Sequence, residues 1–590
     1  MISLNFSKQN FTFGFKIKFM RKISYLLLIT ITATIIVTSC GKKAATEAKY
    51  IPKDVTAVIV VDPLSLKEKM SKGNMSVDSF LLPFQKKSDT ASIAKNKKVW
   101  EDFKENGINL DRNLYLFFVQ KGSLQKGQSS AYSFMGNMKD ETKFQAYLKK
   151  QEETKDKAIS KGKNYSYVQM SNESIIAWNN EVVIATWYNK ASKFEYDSLG
   201  NYKAPDESAT KLELQQEVER HFNLKESESV VSIAPFNNMF NEKGDGYIFN
   251  SSSAALASLS AMPLSLPKLE TLLKDNYSTT TFNFEDGKIV AKGVTQANPM
   301  LASILKKYAG PTVNMAALEN FPATNMNGAM LASFNPELFN GILKELEVSA
   351  LIDGFLSKQG LTSADFFKAM KGEINVFVGD FKLETKETNI AMPDGSSYKN
   401  KSQMPSAKMI FTASIGDKLA FTKLMNIAAE NGAVIKTTSG YAAGDLMKMA
   451  NLYLVADEKN IVLASDSLTY VAYQTAKTKA KIDPEVKDKM KGKSTAMFMD
   501  INSIMNGLMQ SAQEKSLDDG MKLINATFKD MVFTMDNFDG KTIKSQGEIR
   551  MLNSKQNSLV SVVQMISGIV KIMNEDRPVV VSDVVTQPMQ

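Results

Sequence analysis

Val58-Ile59-Val60-Val61-Asp62-Pro63-Leu64 is the stretch on which the reading of this chain turns. Four β-branched residues in a row favour a strand. The two residues after them stop it and start a helix. An Asp side chain accepts a hydrogen bond from a helix-terminal N–H. Proline at the first helical position gives up no hydrogen bond, and its φ already suits the helix. The heptapeptide reads as strand, cap, helix.

Working outward, the pattern returns as Val230-Val231-Ser232-Ile233-Ala234-Pro235-Phe236, as Leu331-Ala332-Ser333-Phe334-Asn335-Pro336-Glu337 and as Ala496-Met497-Phe498-Met499-Asp500-Ile501-Asn502. Asp62, Asn335 and Asp500 fall at the cap position and are expected to cap helices. The surroundings repeat at long range, which is the mark of a duplication. Strand Leu114–Val119 is matched by Ile374–Val378. Phe144–Leu148, behind Asp140, is matched by Phe421–Met425, behind Asp417. The polar turn Asn179-Asn180-Glu181 joins two apolar runs, 175–178 and 182–185, and 457–460 does the same between 452–455 and 461–464. Asp286-Gly287 and Asp539-Gly540 supply the φ > 0 residue of a tight hairpin turn. The expected fold is α+β, with two homologous halves at 53–312 and 313–575, each an antiparallel sheet with packed helices. Residues 383–407 are expected as a solvent loop or long hairpin tip, 189–212 as a linker, and 576–590 as a tail.

The N-terminus is a targeting signal. Met20-Arg21-Lys22 is a basic start, Ile23–Val37 is apolar, and the run ends in Thr38-Ser39-Cys40. An apolar segment of about 15 residues is short for a membrane span, which needs roughly 20. A charged start, a short apolar core and small residues before a cut make a secretory signal. Val37-Thr38-Ser39-Cys40 resembles a bacterial lipobox, and Cys40 is the only Cys in the chain. Residues 1–39 are therefore read as a lipoprotein signal starting at Met20. Residues 40–52 become the lipidated, palmitate-bearing Cys40 and its tether. Gly41 after the Cys, with no Asp and no acidic run behind it, points to the outer membrane and its periplasmic face.

Charge and composition narrow the function classes. Formal charge is +9. Lys8, Lys16, Lys18, Arg21 and Lys22 carry more than half of it; without them 67 basic residues face 63 acidic ones. That balance gives no electrostatic case for nucleic acid. One Cys and one His exclude disulfide scaffolds and Cys/His metal centres. His221 has no second imidazole or free thiol to work with and is expected on the surface or hydrogen-bonded in place. Gly492-Lys493-Ser494 lacks the earlier glycine of a phosphate loop and precedes a strand. Ser92/Lys95, Ser265/Lys268 and Ser303/Lys306 have the spacing of penicillin-recognising enzymes without the accompanying motifs. Met447/Met449 and Met497/Met499 could present soft thioethers to copper(I), but are expected to fill the core. No catalytic, cofactor or metal residue is expected.

Tyr50-Ile51-Pro52-Lys53-Asp54-Val55-Thr56-Ala57-Val58-Ile59-Val60-Val61-Asp62, placed just after Cys40, resembles the opening of a family of Bacteroidota lipoproteins catalogued as a domain of unknown function. Val55 and Thr56 depart mildly from that line, which has Ala and a variable residue there. The resemblance covers about residues 48–570 and brings no catalytic residue. The expected role is a non-enzymatic binding, scaffold or envelope-maintenance module, anchored to the membrane through its lipid and serving an envelope protein or ligand. A hydrolase using carboxylates alone and a carrier of apolar ligands are the alternatives.

Overall fold

The computed structural model describes residues 46–76, 102, 105–123, 127–190, 195–196, 202–203, 207–252, 267–391, 397–449, 452–475, 481–509 and 515–575. Cys40, the signal, Ser92/Lys95 and the tail at 576–590 lie outside them. Most described strands belong to one 21-stranded antiparallel sheet.

The first run of strands comprises β1 (Ala57–Val61), β2 (Leu114–Ser123), β3 (Gly127–Met138), β4 (Ser160–Lys161), β5 (Ser166–Ser171), β6 (Ser174–Trp178), β7 (Val182–Lys190), β8 (Gly246–Ser251), β9 (Tyr277–Glu285) and β10 (Lys288–Gln296). They pair in the order β4-β5-β6-β7-β3-β2-β1-β8-β9-β10. The second run comprises β11 (Met326–Ser333), β12 (Met370–Ala391), β13 (Ser397–Ile415), β14 (Val434–Thr437), β15 (Gly440–Ala443), β16 (Tyr453–Ala456), β17 (Asn460–Ala464), β18 (Thr495–Met499), β19 (Phe528–Met535) and β20 (Thr542–Met551). Their order is β14-β15-β16-β17-β13-β12-β11-β18-β19-β20. The pairing order of the first run is thus the order of the second. The runs join edge to edge, β10 against β20, with Lys288 opposite Arg550 and Gln296 opposite Thr542.

Side chains alternate between the two faces of a strand. One face carries the cores. Val58 sits between Phe117 and Phe249, and Ala329 sits between Phe377 and Phe498. Burying each such Phe contributes about 1.5–3 kcal/mol. The first core is closed by Ala48, Ile51, Val230, Phe236 and the helix α3 (Glu207–Asn223) through Leu214, Val218 and Phe222. The second is closed by Val313, Leu318 and Phe321, with Val486 and Met490 of helix Pro484–Met490.

The described residues cover the opposite face only in places. Helix α1 (Pro63–Lys72) and helix α8 (Ser558–Glu575) meet over Val61 and Phe284 near the seam. Helix α2 (Glu141–Lys150) covers Ile176 and Val183 at one end of the sheet, its Phe144 edge-on to Trp178 at 5.3 Å. Helices α4 (Ser363–Ala369) and α5 (Lys418–Glu430) cover Leu454 and Leu463 at the other end. Helices α6 (Ile501–Met509) and α7 (Lys515–Thr527) pack against each other; α6 lies against β12 and β19 and reaches β11, where Asn327 Nδ2 donates to Ser503 Oγ at 2.8 Å, and α7 touches β19.

The Asp caps hold. Asp62 accepts from Ser65 N at 3.1 Å, Asp140 from Lys143 N, Asp417 from Ala420 N, and Asp500 from Ser503 N at 2.8 Å. Asn335 also accepts from Glu337 N, at 3.0 Å, but stands one position outside the cap of helix Glu337–Glu345, which is Pro336. Gly287 and Gly540 take φ of +71° and +96° in their turns.

Three expectations need correction. Val230–Phe236 is no strand. Val230–Ser232 is a 3-10 turn and Ala234–Asn238 a short helix, because Ser229 closes the turn locally by accepting from Val231 N. The strand beside β1 is Gly246–Ser251, whose Tyr247 and Phe249 take the core positions. The third copy runs 326–333, five residues earlier than 331 at its start, and Phe334 lies past its end. Finally, helix α3 takes up the end of the linker expected over 189–212. Of the two forms expected for 383–407, the long hairpin is the one found, with Leu383 opposite Pro405 and Asn389 opposite Lys399.

Candidate functional site

Three places concentrate chemistry, and the first lies on α3. Leu214, Val218, His221 and Phe222 are spaced i, i+4, i+7, i+8, which puts the histidine on the buried stripe. His221 is fully buried, and neither ring nitrogen has a hydrogen-bond partner. Its ring meets Phe117 edge-on at 5.2 Å. Burial drives its pKa down to about 4, and nearby Glu217 offsets only part of this. The expected surface or satisfied histidine is therefore neither, since helix periodicity outweighs polarity here. One turn earlier, buried Glu217 pairs with Lys121 and, at 3.6 Å, with Arg220, which also holds Asp54 at 2.5 Å. These ion pairs lock α3 to the sheet and to the segment entering β1.

The second place is the second-half side of the seam. Arg550 grips Asp530 with two hydrogen bonds of 2.6 Å and reaches Asp483 and Glu485 at 3.2 Å. These carboxylates raise its pKa further. Lys489 bridges Glu485 and Glu548 at 2.7 and 2.6 Å. A cleft of about 260 Å³ beside them is lined by Lys489, Lys493, Thr534, Gln546 and Glu548, among others. In the first half Asp245, almost wholly buried, accepts from Ser65 Oγ at 2.6 Å and Phe284 N at 2.6 Å and pairs with Lys69. Asp62 beside it has its pKa raised, mainly by burial and further by Asp245, against the opposing Ser65 N–H. Both carboxylates are committed to holding α1. A carboxylate pair of this kind is a latch.

The third place is the uncovered part of the sheet. In the first half Ile59, Leu116, Phe118, Tyr132, Phe134 and Ile248 lie on the face opposite the core. Ile59 and Tyr132 are 37% and 46% exposed, and Phe118 stacks on Tyr132 at 4.8 Å. In the second half the same face carries Met330, Met409, Met497 and Met499, with Val376 and Phe411 in line. Met497 and Met499 were expected in the core. The core takes Ala496 and Phe498 instead, because every residue of Ala496–Met499 is apolar and pleating must send alternate ones outward. Met447 does pack into a core, against α5.

Other sequence candidates stay apart. Lys493 pairs with Asp536 at 2.7 Å, and Ser494 donates from its backbone N and its Oγ to the carbonyl of Met535 at the start of β18. Ser303 and Lys306 lie on the short helix Pro299–Lys307, and Lys268 pairs with exposed Glu347. Among the described residues no group of three or more His, Cys, Asp or Glu side chains is placed to hold a metal, and no helix is long and apolar enough to cross a membrane.

The family described as Domain of unknown function (DUF4836) matches residues 48–559, and the chain belongs to it. No curated protein matches the chain. One solved structure, crystal form IV of TP0453, is similar at 8% identity over 44% of this chain and 84% of that one, with a TM-score of 0.21.

Proposed function

We propose that this protein is a lipid-anchored, non-enzymatic binding module of the cell envelope, held at the periplasmic face of the outer membrane through Cys40, and that its two halves arose by duplication. The observation that carries the binding reading is the uncovered sheet face. Its exposed and half-exposed residues include Tyr132, Phe118, Trp187, Met330 and Met499, of the types enriched where proteins meet. The charged clusters are engaged with one another. The favoured occupant is an apolar or amphipathic segment of another envelope protein. The repeated strand order supports the duplication. Five residues, 41–45, separate Cys40 from the first described turn at Thr46, so they span at most roughly 18 Å. Such a tether would keep the module beside the bilayer.

The test uses a photo-crosslinking amino acid in cells. Placed at Tyr132 it should give a discrete protein adduct, and at exposed Glu226, on the opposite side, it should not. Equal adducts at both positions, or none at Tyr132, would sink the reading. Separately, Cys40→Ala should abolish acyl labelling and signal cleavage, and a chain starting at Met20 should be processed normally. Labelling of the alanine variant would remove the anchor from the proposal.

A further inference from the structure

Four methionines meet on the uncovered face of the second half. Met330 stands directly opposite Met497, and Met499 directly opposite Met531. Met497 and Met499 are two apart on β18, so all four share one face. Cross-strand Cβ atoms lie about 4.5–5.5 Å apart. Gly328 occupies the position beside Met499 and two before Met330. A side chain there would meet only the Phe498 carbonyl, at 3.6 Å. Among the described residues nothing else comes within 4 Å of that position, so the methionines border an open spot on the sheet surface.

The ordinary role of methionine is to fill cores, and other methionines here do so. Met70, Met135 and Met490 are wholly buried, whereas Met330 and Met499 are 36% and 40% exposed. The corresponding residues of the first half contain no sulfur: Ile59 faces Ile248 across the same strand pairing. The sulfur cluster is a feature of one half alone. Thioethers are soft, neutral ligands that select copper(I) over harder cations. Three rotatable bonds let each sulfur swing over the gap. Valine and phenylalanine around the cluster (Val376, Val378, Phe533) offer no competing hard donor.

We propose that Met330, Met497, Met499 and Met531 form a binding site for a soft monovalent cation, copper(I), with the sulfurs converging over Gly328. The site lies on the face assigned above to partner binding but does not depend on that assignment. A thioether has no proton to lose, so binding holds from pH 7 down to pH 5, unlike a thiol or imidazole site.

The test uses the full chain in detergent, with copper(I) kept reduced by ascorbate and titrated against a chromogenic copper(I) chelator, and silver(I) as a redox-inert probe. One equivalent should bind, with the same affinity at pH 5 and pH 7. In methyl-labelled methionine NMR, silver(I) should shift the signals of the four named residues. Met497→Leu/Met499→Leu keeps size and apolarity. It should lower affinity by at least roughly a hundredfold, since loss of outer-shell support alone costs up to about that much. Met70→Leu should leave binding unchanged. A circular dichroism melt like that of the parent shows that the double variant folds; if it melts early, Met330→Leu and the NMR shifts decide. Absence of binding, unchanged affinity in the double variant, or shifts confined to other methionines overturns the proposal.

Discussion

His221 offers a prediction whose size follows from its surroundings. The perturbation is acid. In the unfolded chain the imidazole titrates near 6.5, and in the fold burial holds it at about 4. The groups facing it are Glu217 and Asp54, which favour the proton, and Arg220 and Lys121, which oppose it. A depressed pKa means that the unfolded chain binds the proton first. Its effect on stability is therefore nil above pH 6.5, and stability is lost as pH falls from 6.5 towards 4. At 1.36 kcal/mol per pH unit the loss reaches about 3 kcal/mol. All three tryptophans, Trp100, Trp178 and Trp187, belong to the first half, so their fluorescence follows the unfolding of that half alone. Denaturant titrations of the wild type and His221→Leu, from pH 7.5 to 4.5, isolate the histidine, because other titrations largely cancel in the difference. The difference should be flat above pH 6.5 and then grow in favour of leucine. At neutral pH the leucine variant should be at least as stable, since two buried nitrogens without partners are removed. Parallel curves across the whole range would refute the argument.

Two further predictions concern the scaffold. Asp62→Ala or Asn335→Ala should cost about 0.5–2 kcal/mol by denaturant titration, for loss of a side-chain acceptor at a helix N-terminus, and leave crosslinking at Tyr132 unchanged; loss of crosslinking without loss of stability would make these residues part of the binding surface. Arg550→Met leaves buried Asp530 without its partner and should cost about 3–5 kcal/mol. Much of that should return in Arg550→Met/Asp530→Leu, and a mild single variant in thermal melts would show that the pair is screened by water.

The parts of the fold that can be read from the sequence are those fixed by local chemistry. Asp62-Pro63 and Asn298-Pro299 can do little else than start helices, and Gly287 and Gly540 sit in left-handed turns that few other residues tolerate. The hairpins at 174–190 and 453–464 follow from polar turns between apolar runs. What escapes is whatever depends on distant cover. Val230–Ile233 has the composition of a strand, yet Ser229, bonded back to the carbonyls of Ala48 and Ile51, winds it into a turn. The real strand at 246 carried a signal in its alternation of Tyr247, Phe249 and Asn250 behind the polar Lys243-Gly244-Asp245. His221 also had a readable signal, because its spacing from Leu214 and Val218 places it inward whatever its polarity.

The uncovered face is the harder lesson, and it bears on function. Val58–Val61 and Ala496–Met499 are apolar at every position, with none of the polar alternation of a strand that faces water on one side. A strand of that kind requires cover on both faces. On one face the cover is α3 in the first run, and helices Ser467–Thr475 and Pro484–Met490 in the second. On the other, α1 and α8 guard the seam, α6 and α7 lie on part of the second run and α2, α4 and α5 guard the ends, yet Ile59, Tyr132, Met330 and Met499 remain in contact with solvent. Sequence composition therefore asks for a second layer that the described helices supply only in part. A face that is apolar by composition and bare by topology is where an added partner gains most from burial, at about 25 cal/mol per Å² removed from water. Under the proposed binding role the working surface is therefore the sheet, and not the acid–base clusters that first draw attention.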